Sequence, residues 1–407
     1  MASERLYKNN QYEIQNAAKV LEVATIDGCD SIVCDRSVFF PEGGGQPSDT
    51  GTVARGDELF NIVSASDSSL EDDVWHLTDA PAGTFHIGDE VMLTIDWDNR
   101  FKNMQRHLGE HMLSGTFHTL FGGVNKGFHM GEEYITIDID IDGRMLTDEE
   151  LDLAERTVND AIWADLPVSI DYFENYEASL VMPVRKQVPH DGEVSVVTVG
   201  ALPDPYDCIA CCGTHPSTTG QVGLVAIYKH EPNKGMNRIY FDCGIMAKEH
   251  LNSEMKQLTA IADHNSCKTS DLMHKLESDE EATRKLKAQM AGMAAYIKNA
   301  EKAAILEQLA DRAVVTYELD LLSVDDLLKL GFAAIAETEG KLLMLLHPES
   351  GTVLLFSSGD VKCGNLVKEY ASEFGGRGGG RDDNARAVFA SDKDMKAFAD
   401  KLTEVIK

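Results

Sequence analysis

Residues 98–123 read DNRFKNMQRHLGEHMLSGTFHTLFGG, and within this stretch the chain changes its periodicity. Phe101, Met104, Leu108, Met112 and Phe117 recur at the spacing of one buried helix face, and Gly122-Gly123 closes the helix. Upstream, from Tyr12 to about Asp96, the signals are short and β-like. Ala24-Thr25-Ile26, Ser31-Ile32-Val33, Leu59-Phe60-Asn61-Ile62-Val63 and Glu90-Val91-Met92-Leu93-Thr94-Ile95 are apolar or alternating runs, separated by Gly, Asp, Pro and Ser. They predict a small β-barrel or meander. A barrel that runs into a long helix sets the fold class as α+β.

Downstream, a strand is predicted at 134–141, a helix at 147–164 that stops before Pro167, and strands at 168–172, 194–199 and 222–229. From about Ala247 to Arg312 the text is helical and charged, with a break near Asn265-Ser266. Leu272, Leu276, Leu286, Met290, Met293, Ile297, Leu306 and Leu309 form a narrow apolar stripe, as in a helical hairpin or a dimerising coiled coil. The remainder alternates strand and helix around a glycine loop. Four domains are expected: a barrel over 1–97, an α+β domain over 98–246, a helical stem over 247–312 and a C-terminal α/β domain over 313–407.

Composition is that of a soluble globular protein, with 43% hydrophobic and 26% charged residues. Lys and Arg total 37 against 68 Asp and Glu, a net charge of −31, which by itself argues against nucleic-acid binding. The polar first 16 residues do not read as a signal peptide, and no apolar run reaches the length of a membrane span, so a cytoplasmic protein is expected. Of eight cysteines, Cys208, Cys211 and Cys212 crowd together, a pattern of metal binding or catalysis rather than disulfides.

His107 and His111, four residues apart on the predicted helix, stack on one face where both can reach a metal. Cys211 and His215 repeat that interval about 100 residues later. Two imidazoles, a thiolate and a third imidazole make a zinc-type ligand set. Cys208 and Cys212 are rival sulfur ligands, and His118 lies near the same helix face. His107-Leu108-Gly109-Glu110-His111 also matches the inverted zinc-peptidase pattern H-x-x-E-H. That reading needs a downstream glutamate such as Glu174, Glu177 or Glu193, and it leaves Cys211 and His215 without a role.

Two glycine-rich segments remain. Gly43, Gly44 and Gly45 precede Gln46 and let the backbone approach a ligand closely. Gly375-Gly376-Arg377-Gly378-Gly379-Gly380-Arg381 lacks the ending of a nucleotide phosphate loop. Its open amides, flanked by Arg377 and Arg381, suit a backbone phosphate.

In their order, these segments resemble the long form of the free-standing alanyl-tRNA editing proteins, the AlaX type, which look like the editing and C-terminal parts of alanyl-tRNA synthetase. The family's Gly-Gly-Gly-Gln-x-x-Asp-x-Gly appears as Gly43 to Gly51, and its H-x-x-x-H as His107 and His111. Its Cys-Gly-Gly-Thr-His appears as Cys211-Cys212-Gly213-Thr214-His215, and its closing glycine-arginine motif as Gly375 to Arg381. The chain departs from the family at Ser37, usually threonine, at Cys212, usually glycine, and at Glu110, usually threonine-like.

The resemblance implies a zinc-dependent hydrolase of mischarged Ser-tRNA(Ala), with Gly-tRNA(Ala) as a second substrate. It implies one zinc per chain on His107, His111, Cys211 and His215, and catalytic roles for Gln46 and Ser37 in reading the substrate's amino acid and holding water. No class II aminoacylation segment is evident, so a ligase is not expected. Local patches at Arg377, Arg381 and Arg284-Lys285-Lys287 would hold tRNA against the acidic background. The stem would serve a homodimer, and no membrane is involved. A zinc peptidase and a non-catalytic, zinc-stabilised tRNA-binding protein are the alternatives.

Overall fold

The computed structural model describes residues 3–68, 73–187, 189 and 191–406. The chain forms two compact units, Met1–Ala260 and Ile261–Lys407. After a short strand at Glu4–Arg5 and a helical turn at Leu6–Asn9, the first contains six antiparallel strands: β1 (Gln15–Ile26), β2 (Cys29–Cys34), β3 (Gly51–Arg55), β4 (Glu58–Asp67), β5 (Val74–Pro81) and β6 (Glu90–Ile95). They close into a barrel in the order β1-β2-β5-β4-β3-β6. Asp27 and Gly28 both take positive φ, 51° and 84°, which turns β1 into β2 through a tight hairpin. Val20, Ile32, Val53, Ile62 and Leu93 fill the interior. Closure leaves no sheet edge exposed.

Helix α1 (Trp97–Phe121) follows at once. Asp96 caps it by accepting from the Asn99 amide at 3.1 Å, and Gly122 at φ +68° ends it. Met104, Leu108, Met112 and Phe117 are fully buried, as their spacing requires. Next come β7 (Val124–Met130), β8 (Ile135–Asp140), α2 (Asp148–Trp163), β9 (Val168–Phe173), β10 (Val194–Val199), β11 (Asp207–Ala210), β12 (Val225–Asn233) and β13 (Met236–Cys243). One sheet runs β12-β13-β8-β7 and shares a core with α1 and α2; a second runs β9-β10-β11. The structure adds β7, β11 and β13 to the expected elements. β7 is broken by Gly127 and β11 has four residues, so their apolar patterns are weak, whereas β13 buries Ile239, Phe241 and Cys243 in alternation.

Helices α3 (Gly244–His264) and α4 (Leu272–Asp311) follow, with Ser266 at φ +54° in the break between them. In the second unit Ile305 and Leu309 of α4 join the core, whereas Leu286, Met290 and Met293 are exposed. The sheet there has the order β14 (Val314–Glu318), β15 (Leu342–His347), β16 (Thr352–Ser357), β18 (Asn384–Val388), β17 (Arg377–Gly380). Helices α5 (Val324–Ile335), α6 (Cys363–Tyr370) and α7 (Asp392–Ile406) complete it. The expected glycine loop is corrected here: Arg377 to Gly380 is an antiparallel edge strand against β18. Glycine is needed in it, because a Cβ on Gly378 would meet the Arg386 carbonyl oxygen at 2.0 Å. Arg377 and Arg381 are exposed.

Candidate active site at a histidine–cysteine cluster

The barrel hands its chain directly to α1, and α1 carries His107 and His111 one turn apart, ring centroids 4.7 Å from each other. The other two donors arrive on the segment after β11. Cys211 is held there by its amide, which donates to the Ser195 carbonyl at 3.0 Å, and by the Ser195 hydroxyl donating to its own carbonyl at 2.6 Å. The His215 amide donates to Gln11 Oε1 at 2.5 Å. Ligand atoms of His107, His111, Cys211 and His215 thereby come within 4.8 Å of one another.

These residues fit a metal. Both ring nitrogens of His111 and of His215 are buried without a hydrogen-bond partner, which a folded protein tolerates poorly unless something else binds them. Burial pushes the His107 pKa down to about 4 and those of His111 and His215 well below the ordinary imidazole value. All three rings are therefore neutral and offer lone pairs. Burial pushes the Cys211 thiol up, and a bound cation is what would favour its thiolate. Three imidazoles and one thiolate suit zinc.

The rival ligands lie elsewhere. Cys208 is buried beside the Thr198 hydroxyl at 3.7 Å, Cys212 is exposed, and His118 Nδ1 sits 3.3 Å from the Gly123 carbonyl oxygen. The glutamates of the peptidase reading do not join the group either, and Glu193 pairs with Lys8 at 2.5 Å.

Gln46 lies inside the protein, beside His107. It is fully buried, and the Thr214 amide, which can only donate, points at its Oε1 from 3.0 Å. That fixes Oε1 as the carbonyl oxygen. His107 Nδ1, 2.9 Å from the same oxygen, must then carry the proton. Nε2 keeps its lone pair and faces Cys211 Sγ at 3.4 Å. Gln46 Nε2 donates to the Thr214 hydroxyl at 2.8 Å. Gln46 thus orients a ligand, and its acceptor is already in use. The glycines before it serve the same end. Gly44 and Gly45, at φ +59° and +83°, form the centre of a tight turn closed by Gly43 and Gln46. Gly213 is required by close approach, since a Cβ there would lie 2.2 Å from the His107 ring.

Ser37 lies apart from the cluster. Its side chain is fully buried in the barrel and is not part of the cavity wall. His76 Nδ1 donates to the Ile32 carbonyl at 3.1 Å, so its Nε2 accepts from the Ser37 hydroxyl at 2.7 Å. The same oxygen accepts from the Phe39 amide at 3.0 Å. Ser37→Ala should strand both partners, at a cost of about 1–3 kcal/mol each. The expected result is a lower melting temperature with the ratio of seryl- to alanyl-ester hydrolysis unchanged. A changed ratio under single-turnover conditions would restore the selectivity role.

A cavity of about 500 Å³ adjoins the cluster, lined among others by Glu110, Asn125, Phe128, Arg185 and Cys212. Arg185 Nε donates to Asp207 Oδ1 at 2.7 Å. Burial raises the Asp207 pKa to about 6, although Arg185 opposes the shift. Sequence reasoning missed Asn125, Arg185 and Asp207, which stand in no motif. It also missed the buried Arg100–Asp49 pair that anchors α1 to the barrel. Of the basic patch expected on α4, Arg284 and Lys285 both pair with Glu281.

Three family models match the chain. Class II tRNA synthetases (A) match residues 6–99, which hold the barrel. The second additional domain of threonyl and alanyl tRNA synthetases matches 194–240, which holds Cys211 and His215, and the DHHA1 domain matches 323–407. The alanyl-tRNA editing protein AlaX-L of Pyrococcus horikoshii is 27% identical over 94% of both chains. Alanine–tRNA ligases of Pyrobaculum aerophilum and Caldivirga maquilingensis are each 30% identical, over 95% and 94% of this chain. The chain spans only 43% and 42% of those ligases. The chain is thus similar along most of its length to a free-standing alanyl-tRNA editing protein, and three of its four ordered motifs, those of Gln46, of His107 and His111, and of Cys211 and His215, meet at one cluster.

Proposed function

We propose that the chain is a zinc-dependent deacylase that hydrolyses mischarged Ser-tRNA(Ala), with Gly-tRNA(Ala) as a second substrate. The observation that carries the reading is the convergence of four neutral or ionisable donors, two of them orphaned imidazoles, beside a cavity of about 500 Å³. An aminoacyl ester is intrinsically labile, so positioning and polarisation suffice. Zinc bound here would supply a Lewis acid for the ester or for its attacking water. The residues themselves do the rest. Gln46 holds His107 in one tautomer, Gly213 lets the ligand segment close on that ring, and the cavity admits the ester end of the substrate.

A ligase reading is not adopted: the class II match falls on the barrel. In the second unit, the exposed Arg377 and Arg381 on the edge of the sheet would contact tRNA phosphates, and the exposed stripe of α4 would serve a homodimer. The setting proposed is the cytoplasm; no helix among the described residues is long and apolar enough to cross a membrane.

The test is deacylation of Ser-, Gly- and Ala-tRNA(Ala), with elemental analysis of protein purified without chelator. Hydrolysis of the seryl ester, sparing of the alanyl ester and one zinc per chain are expected. Bound tRNA with an intact seryl ester would overturn the reading in favour of a non-catalytic binding protein.

A further inference from the structure

Two carboxylates line the cavity, and they differ in kind. Glu193 is half-exposed and already paired with Lys8. Glu110 is 4% exposed and sits one residue before His111 on α1. Its Oε1 accepts from the Ser114 hydroxyl at 2.6 Å and from Asn125 Nδ2 at 2.9 Å. Those two donors fix the carboxyl plane. Its Oε2 accepts no hydrogen bond among the described residues; His111 Nδ1 lies 3.3 Å away. Arg185, whose charge acts on Glu110, donates through Nε to Asp207, and Lys126 and Lys186 also line the cavity. Glu110 therefore presents to the cavity a carboxyl held rigidly through one oxygen, with its other oxygen contacting only His111 among the described residues.

The geometry points to Glu110 as the seat of the substrate's α-ammonium group. This rests on the editing reading above and deepens it. Every aminoacyl ester carries an ammonium on the carbon next to the scissile carbonyl. A cation held beside the ligand cluster needs an anion to offset it, and Glu110 is the buried carboxylate of this cavity. The ester carbonyl would then point toward the cluster, and the side chain would point into the remaining space. Esters whose nitrogen is acylated lack the cation and add bulk at that point. The site should therefore spare peptidyl esters while hydrolysing aminoacyl ones.

The experiment compares two substrates that differ only at this group. One is Ser-tRNA(Ala). The other is its 2,3-dihydroxypropionyl counterpart, in which a hydroxyl replaces the ammonium. Each rate is divided by the uncatalysed rate of the same ester, because the ammonium activates the ester by itself. The wild-type chain should prefer the seryl ester by roughly 10- to 100-fold in kcat/KM, the range of a charge-assisted contact. Glu110→Gln keeps the shape and the Ser114 contact, and should bring the preference to within about threefold, with Glu110→Asp between. Zinc content is measured on every variant.

A wild-type chain that hydrolyses both esters equally overturns the assignment. So does a variant that loses both activities in parallel, since a general base or a support for His111 would act on both alike. A variant that leaves both activities unchanged overturns it as well. A wild-type chain that hydrolyses neither ester refutes the editing reading itself, and the Glu110 assignment with it.

Discussion

Gln46→Ala should weaken zinc binding by roughly 10- to 100-fold although all four ligands remain in place. The wild-type amide accepts from His107 Nδ1 and from the Thr214 amide through one oxygen. Without it, the His107 ring loses the contact that selects its tautomer, and the proton can move to the nitrogen that must face the metal. The Thr214 amide, one residue before the ligand His215, loses its partner too. His215→Ala provides the upper limit, because it removes a donor outright and should abolish stoichiometric metal. Competition with a chromogenic chelator separates the two. An affinity for Gln46→Ala within about twofold of wild type would mean that packing alone orients His107, as Gly213 against its ring would allow. The variant also leaves two buried donors unmatched, so stability should fall by about 1–3 kcal/mol for each. Metal affinity is therefore measured well below the melting transition.

The helix over 98–123 was legible because five apolar residues mark one face and Gly122 marks its end, whereas the Asp96 cap emerged only in the structure. The barrel was legible as short alternating runs, and its closure was not, since closure depends on β6 pairing with both β1 and β3 across the sequence. The four clustered donors were legible as two four-residue intervals. What the intervals could not reveal was which sulfur turns inward. That choice is made by the Ser195 contacts that fix Cys211, and Ser195 carries no motif. The burial of Gln46 and Ser37 was not legible, for a shared reason. A polar residue in a motif reads as a substrate contact, whereas each of these is buried with its hydrogen bonds taken within the protein. The glycines after Gly375 read as a loop because glycine is poor in strands. Here they lie in a strand, and at Gly378 and Gly380 the backbone of β18 leaves no room for a Cβ.

Asp49→Asn should destabilise the first unit by about 3–5 kcal/mol, the cost of leaving a buried cation without its counter-charge. Arg100 and Asp49 are both fully buried. Arg100 Nε donates to both Asp49 oxygens at 2.9 Å, and its terminal nitrogens donate to the Gln11 carbonyl at 2.9 Å and the Val38 carbonyl at 2.6 Å. Asp49 Oδ2 also accepts from the Phe40 amide at 2.7 Å. The pair therefore ties the start of α1 to the barrel and to the turn that presents Gln46. It reaches the ligands as well, since Gln11, held by Arg100 at its carbonyl, accepts from the His215 amide through its side chain. Asparagine at 49 keeps the shape but presents one donor where the guanidinium needs an acceptor. Arg100→Met should cost a similar amount, by stranding the Asp49 carboxylate and two backbone carbonyls. The double variant Asp49→Asn, Arg100→Met should cost less than the sum, because neither residual charge is then buried alone. Urea unfolding of the four proteins measures the coupling. A loss below about 1 kcal/mol for Asp49→Asn would show that water reaches the pair and that it is not what anchors the metal helix.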